Sequence, residues 1–123
     1  MIVLSILQII VAAGIFNVWI LRFGKETPYR GKSAKNLSQE FAAYGLPAWF
    51  VWVVGILKVG SAAALILGFW WSPAIFPAAV ILALLMAGAI AMHLKVGDGL
   101  IKFVPATLVF LMTAAMAALT WPS

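Results

Sequence analysis

Four long apolar runs, residues 2–21, 47–67, 73–93 and 100–121, decide what this chain can become. Together they hold only two of its eight Lys and Arg residues, Lys58 and Lys102, and none of its three acids. At about 1.5 Å per helical residue, each run covers the roughly 30 Å hydrocarbon core of a bilayer. A soluble chain carries about 25% charged residues, whereas this one has 9%, against 66% apolar residues and a mean hydropathy of +1.15. Such a chain cannot cover itself with polar surface. The expected fold is an all-α membrane protein, with residues 1–123 forming one domain built as a four-transmembrane-helix bundle. The first run is expected to persist as a helix rather than act as a signal peptide, because no basic residues precede it and the charges follow it.

The links between the runs differ in kind. Gly68-Phe69-Trp70-Trp71-Ser72 is short and uncharged, which makes the second and third helices antiparallel neighbours. Lys95-Val96-Gly97-Asp98-Gly99 places two glycines around an aspartate, a composition suited to a turn with positive φ. The first link is long enough to hold structure of its own. Asn36 with Gln39 three residues on can cap a short helix, and Leu37, Phe41 and Tyr44 share a face. Gly45 and Pro47 then stop it, so an interfacial helix is expected over residues 37–44.

Charge gives an orientation. Arg22, Lys25, Arg30, Lys32 and Lys35 lie in the first link, and Lys95 and Lys102 flank the third. The second link and both tails have no basic side chain. The positive-inside rule places links one and three in the cytoplasm and both termini outside, in an inner (plasma) membrane, with the basic link against anionic headgroups. Tryptophan placement matches: Trp19, Trp49 and Trp52 would mark the inner belt, and Trp70, Trp71 and Trp121 the outer one. Helices in lipid pack through small residues. Ala79, Ala83, Ala87 and Ala91 beside Gly88, and Ala114, Ala115 and Ala118, are the expected packing stripes. Pro105 either kinks the fourth helix or marks its start.

With no cysteine, the chain has no disulfide, thiolate metal site or thiol relay of its own. One histidine, His93, cannot make a zinc or bis-histidine haem site. No metal and no intrinsic cofactor are expected, and the basic residues read as topology signals rather than as a nucleic-acid surface. No span holds a nucleophile and base pair or paired carboxylates, so a catalytic residue cannot be named, and catalysis by this chain alone is not expected.

Lys58 is the most informative polar residue. It lies eleven residues past Pro47, about 16 Å into the membrane, where a charge costs about 2.5–3.5 kcal/mol on insertion scales. It must face the interior, where Gly55 and Ala62 leave room beside it. There it would hold the polar group of a ligand, carry a proton, or anchor the first helix through Gln8 or Asn17. His93 closes the third helix with Asp98 five residues on, either resting on the helix dipole or forming a site at the cytoplasmic mouth. Lys58, His93, Asp98, Gln8 and Asn17 are therefore the candidate ligand-binding residues. Ser61, Thr107 and Thr113 are expected to hydrogen-bond between helices or to backbone.

The runs Gly45-Leu46-Pro47-Ala48-Trp49, Gly55-Ile56-Leu57-Lys58-Val59-Gly60-Ser61-Ala62 and Ala89-Ile90-Ala91-Met92-His93-Leu94-Lys95-Val96-Gly97-Asp98 together resemble the DoxX-like membrane proteins. That pattern has a GLP-type entry to helix two, a "G-x-x-E/K-x-G" stretch within it, and an "A-x-x-x-H-x-x-x-G-D" end to helix three. Lys58, His93 and Asp98 fall on its polar positions. Many members have an acid where this chain has Lys58. The resemblance implies a small four-helix membrane unit, and its members are implicated as partners of redox systems, including a thiosulfate to quinone oxidoreductase.

Three functions follow as expectations. The first is a binding subunit whose bundle holds a quinone or other lipid-like molecule at Lys58 and meets a soluble or membrane redox partner. The second is a structural or assembly partner of a larger membrane complex. The third is a small transporter, which would need a homodimer to line a path.

Overall fold

The structure is a computed structural model and describes residues 2–21, 45–95, 97 and 99–121. Helix α1 spans Ile2–Phe16 and runs directly into a π-helical turn, Asn17–Leu21. Helix α2 spans Ala48–Leu67. After a 3-10 turn at Ser72–Ala74 come α3, Ile75–Lys95, and α4, Leu100–Leu119. The expected interfacial helix at 37–44 lies outside the described residues, as do Arg22, Lys25, Arg30, Lys32, Lys35 and Asp98.

Three stretches are long and apolar enough to cross a membrane: Ile2–Trp19, Trp49–Leu67 and Ser72–Lys95. The fourth helix contributes the shorter apolar segment Val104–Leu119. Only 28% of each long stretch is buried inside the bundle. The remaining surface carries large aliphatic side chains such as Ile2, Ile56 and Leu84, which suits a lipid solvent.

The helices close into a ring. Helix α3 packs most extensively on α4, α2 packs on α1 and α3, and α4 returns to α1. On α1 the inward face is Gln8, Val11, Ala12 and Ile15, a spacing of three and four continued by Trp19. It meets Val51, Val54, Ala62 and Leu65 of α2, while Ile75, Ala78, Ala79 and Leu82 of α3 and Met116 of α4 complete the core. In lipid this contact gains little from the hydrophobic effect and depends on close van der Waals fit.

The alanine stripes are a correction. Ala79 is fully buried, but Ala87, Gly88 and Ala91 are exposed, and α3 turns Leu82, Met86 and His93 inward instead. Ala114, Ala115 and Ala118 are likewise exposed, while α4 presents Ala106, Thr113 and Met116 to its neighbours. Thr113 satisfies its hydroxyl within its own helix, on the carbonyls of Val109 and Phe110 at 2.8 and 3.0 Å. Pro105 lies inside α4, which begins five residues earlier.

In the link between α3 and α4, Gly97 takes φ +72°, the left-handed region that glycine adopts without strain, while Gly99 has φ −71° and precedes α4; ahead of α2, Gly45 has φ +81°. At the α2–α3 link, the N–H groups of Gly68, Phe69, Trp70 and Trp71 donate to the carbonyls of Ala64, Ile66, Leu67 and Leu67. Gly68 is held tightly there, because a Cβ on it would collide with the Ile75 side chain.

Candidate functional site: an intramembrane lysine over a buried tryptophan

Lys58 is the eleventh of the twenty residues of α2 and sits seven residues after Val51, four before Ala62 and seven before Leu65. Those three are buried, so the lysine shares the helix face turned to the bundle interior and is itself half-buried. Its Nζ lies 5.3 Å from the centre of the Trp19 ring. A cation within about 6 Å of an aromatic face is attracted by the ring quadrupole, by about 2 kcal/mol or more once desolvated.

Trp19 owes its place to Gly55. A Cβ there would lie 2.8 Å from Cζ3 of the indole and 3.0 Å from Cε3, so the ring occupies the space a side chain at 55 would fill. Trp19 is only 9% exposed. It is therefore a core residue and not the inner-belt anchor that its position near the end of the first run implies. Lys58 and Gly55, three residues apart on one helix, grip the indole from α2. The room that Gly55 offers is taken by the ring, and Trp19 itself stands on the π turn. Such turns recur at functional sites because they re-aim a side chain within a helix.

Trp49, Trp52, Trp70, Trp71 and Trp121 are all exposed. Trp121 stacks edge-on against Phe76, with ring centres 5.4 Å apart.

Gln8 has a different partner from the one proposed for it. Its side chain, 2% exposed, donates through Nε2 to the Leu65 carbonyl at 2.8 Å. In a continued helix the N–H of Phe69 would close that bond, but here it donates to Ile66. Gln8 thus satisfies a helix-end carbonyl that has no water to turn to. Asn17 is exposed on the π turn. His93 is buried, 4% exposed, in the last turn of α3. Gln8, Lys58 and His93 consequently stand at three levels of the bundle: by the α2–α3 link, at mid-span, and at the opposite end. Close to His93, the Lys95 ammonium reaches Gly45, coming within 3.5 Å of where a Cβ would stand, and so brings the end of α3 to the start of α2.

A second feature was not anticipated from the sequence. A groove of about 370 Å³ runs between α2 and α3, open along one side, with Gly60, Ser61 and Ala64 on one wall and Ala78 and Ile81 on the other. Trp71 stands at the link end, and Lys58 is not among its lining residues.

Residues 29–117 match the family model described as the DoxX-like family. A relative in Bacillus subtilis (strain 168), "Uncharacterized protein YdgD", is 43% identical over 51 residues, a match covering 42% of this chain and 45% of the relative. No solved structure matches the chain. The matched region takes in the GLP entry to α2, the glycine-flanked Lys58 stretch and the His93 end of α3, and on that match the chain belongs to the DoxX-like family.

Proposed function

We propose that this DoxX-like protein is a membrane-embedded binding subunit of a redox system, holding a quinone or another lipid-like molecule whose polar oxygen is met by Lys58. The observation that carries this reading is the half-buried ammonium at mid-span, facing inward over Trp19. A charge at that depth costs free energy that a methionine would not, and an ionisable group kept there is best explained by a polar group that it serves. The cation–π contact holds the ammonium over the indole, a position from which its charge would attract a carbonyl or an anion. The electrons would be supplied by a partner, since the chain has no cysteine. The basic link carrying Arg22, Lys25, Arg30, Lys32 and Lys35 is the surface proposed for that partner and for anionic lipid, on the cytoplasmic face of the inner membrane with both termini outside.

A second reading is favoured by the same contact. Lys58 over Trp19 joins α2 to α1, and a chain held together this way would serve as an assembly partner of a larger membrane complex. Titration of decylbenzoquinone into the protein in nanodiscs separates the two. On the binding reading, Lys58→Met loses about tenfold or more in affinity, equivalent to about 1.4 kcal/mol, with unchanged unfolding. Equal affinity in both proteins, together with a less stable variant, supports the assembly reading.

A further inference from the structure

We infer that the α2–α3 groove is a second, lipid-accessible binding site, which takes an alkyl-chain amphiphile whose carbonyl or hydroxyl oxygen hydrogen-bonds the Ser61 hydroxyl. Ser61 is 6% exposed and lines the groove. Among the described residues its hydroxyl makes no hydrogen bond, unlike Thr113 and Thr120, which return theirs to their own helix. A buried hydroxyl in an apolar setting without a partner is unfavourable, and an incoming oxygen relieves it. Ser61 lies six residues before the end of α2, about 9 Å below it, beyond the easy reach of headgroup water.

The size of the groove selects the occupant. About 370 Å³ lies at the lower end of the range for small-molecule sites. A helix about 10–12 Å across rides over such a channel and does not fill it. Gly60, Ala64 and Ala78 keep the channel clear of side chains, so a single chain can lie along it. The site is separate from the one proposed around Lys58, which belongs to the core face of α2 and leans on Trp19.

Photolabelling with 4-decylbenzophenone in phosphatidylcholine nanodiscs, followed by peptide mapping, tests this, because the diaryl ketone is both the hydrogen-bond acceptor and the reactive group. Label is expected on the groove residues of α2 and α3. Ser61→Ala should reduce it by about fivefold, the worth of one neutral hydrogen bond, and Ala64→Phe, which fills the channel, should abolish it. Excess decanol should compete and decane should not. Labelling retained in Lys58→Met keeps this site distinct from the reading above, whatever becomes of that reading. Three results overturn the inference: equal labelling of Ser61→Ala, competition by decane as strong as by decanol, or disulfide-linked copies of Ala64→Cys, which would place a second copy of the chain on the groove.

Discussion

The Lys58 ammonium and the Trp19 ring meet at 5.3 Å across the contact between α1 and α2, with Gly55 giving the ring its seat. The three residues form one mechanical unit, and its members respond differently to substitution. Trp19→Ala removes a buried aromatic side chain and is expected to cost about 3–5 kcal/mol. Lys58→Met exchanges a cation–π contact of about 2 kcal/mol for relief from a similar intramembrane charge penalty, and is expected to leave stability nearly unchanged. Reversible unfolding in mixed micelles checks both. A large loss in Lys58→Met would make the lysine a structural tie.

Gln8→Leu keeps the volume of the side chain but leaves the Leu65 carbonyl without its donor. The expected loss is about 1–2 kcal/mol, above the average for a polar contact between membrane helices because the orphaned acceptor is buried. Hydrogen exchange at the end of α2 should rise in the same variant. An unchanged unfolding midpoint would mean that another group caps this end.

The glycines are predicted to differ sharply. Gly55→Ala and Gly68→Ala each drive a Cβ into a packed side chain, Trp19 in one case and Ile75 in the other, and are expected to cost about 1–3 kcal/mol. Gly14→Ala faces open space on α1 and should stabilise the helix by up to about 1 kcal/mol. Thermal unfolding of the three single variants distinguishes these outcomes, and equal behaviour at all three positions would contradict the packing described.

Orientation can be read by thiol labelling, since the chain contains no cysteine of its own. A cysteine replacing Lys32 is expected to resist an impermeant maleimide applied to whole cells, and one replacing Trp121 to react. The reverse pattern would invert the proposed topology.

The four helices were legible because hydropathy and helix length depend on residue type alone, and their ends agree with the expected runs to within a few residues, with three of the four long and apolar enough to cross a membrane among the described residues. The inward direction of Lys58 was legible too, because a charge at mid-span has one affordable side. Facing was much less so. In lipid a buried alanine and an exposed one sit among equally apolar neighbours, so the repeats at Ala87, Ala91, Ala114 and Ala118 did not reveal that they point outward. Trp19 has the composition and position of a belt residue, and only the seat at Gly55 shows that it is core. The partner of Gln8 is a backbone carbonyl, which leaves no mark in a sequence. The groove at Ser61 arises from two helices lying side by side, a relationship that neither run carries alone.

Ligand binding at Lys58 is tested by native mass spectrometry of the protein released from its own membrane, recording retained small molecules for wild type and Lys58→Met. On the wild type a co-purifying quinone or lipid-like molecule is expected that is lost from Lys58→Met, whereas an amphiphile seated in the Ser61 groove stays on both. A bare protein in both, or no bound molecule that Lys58→Met releases, would contradict a binding role for Lys58.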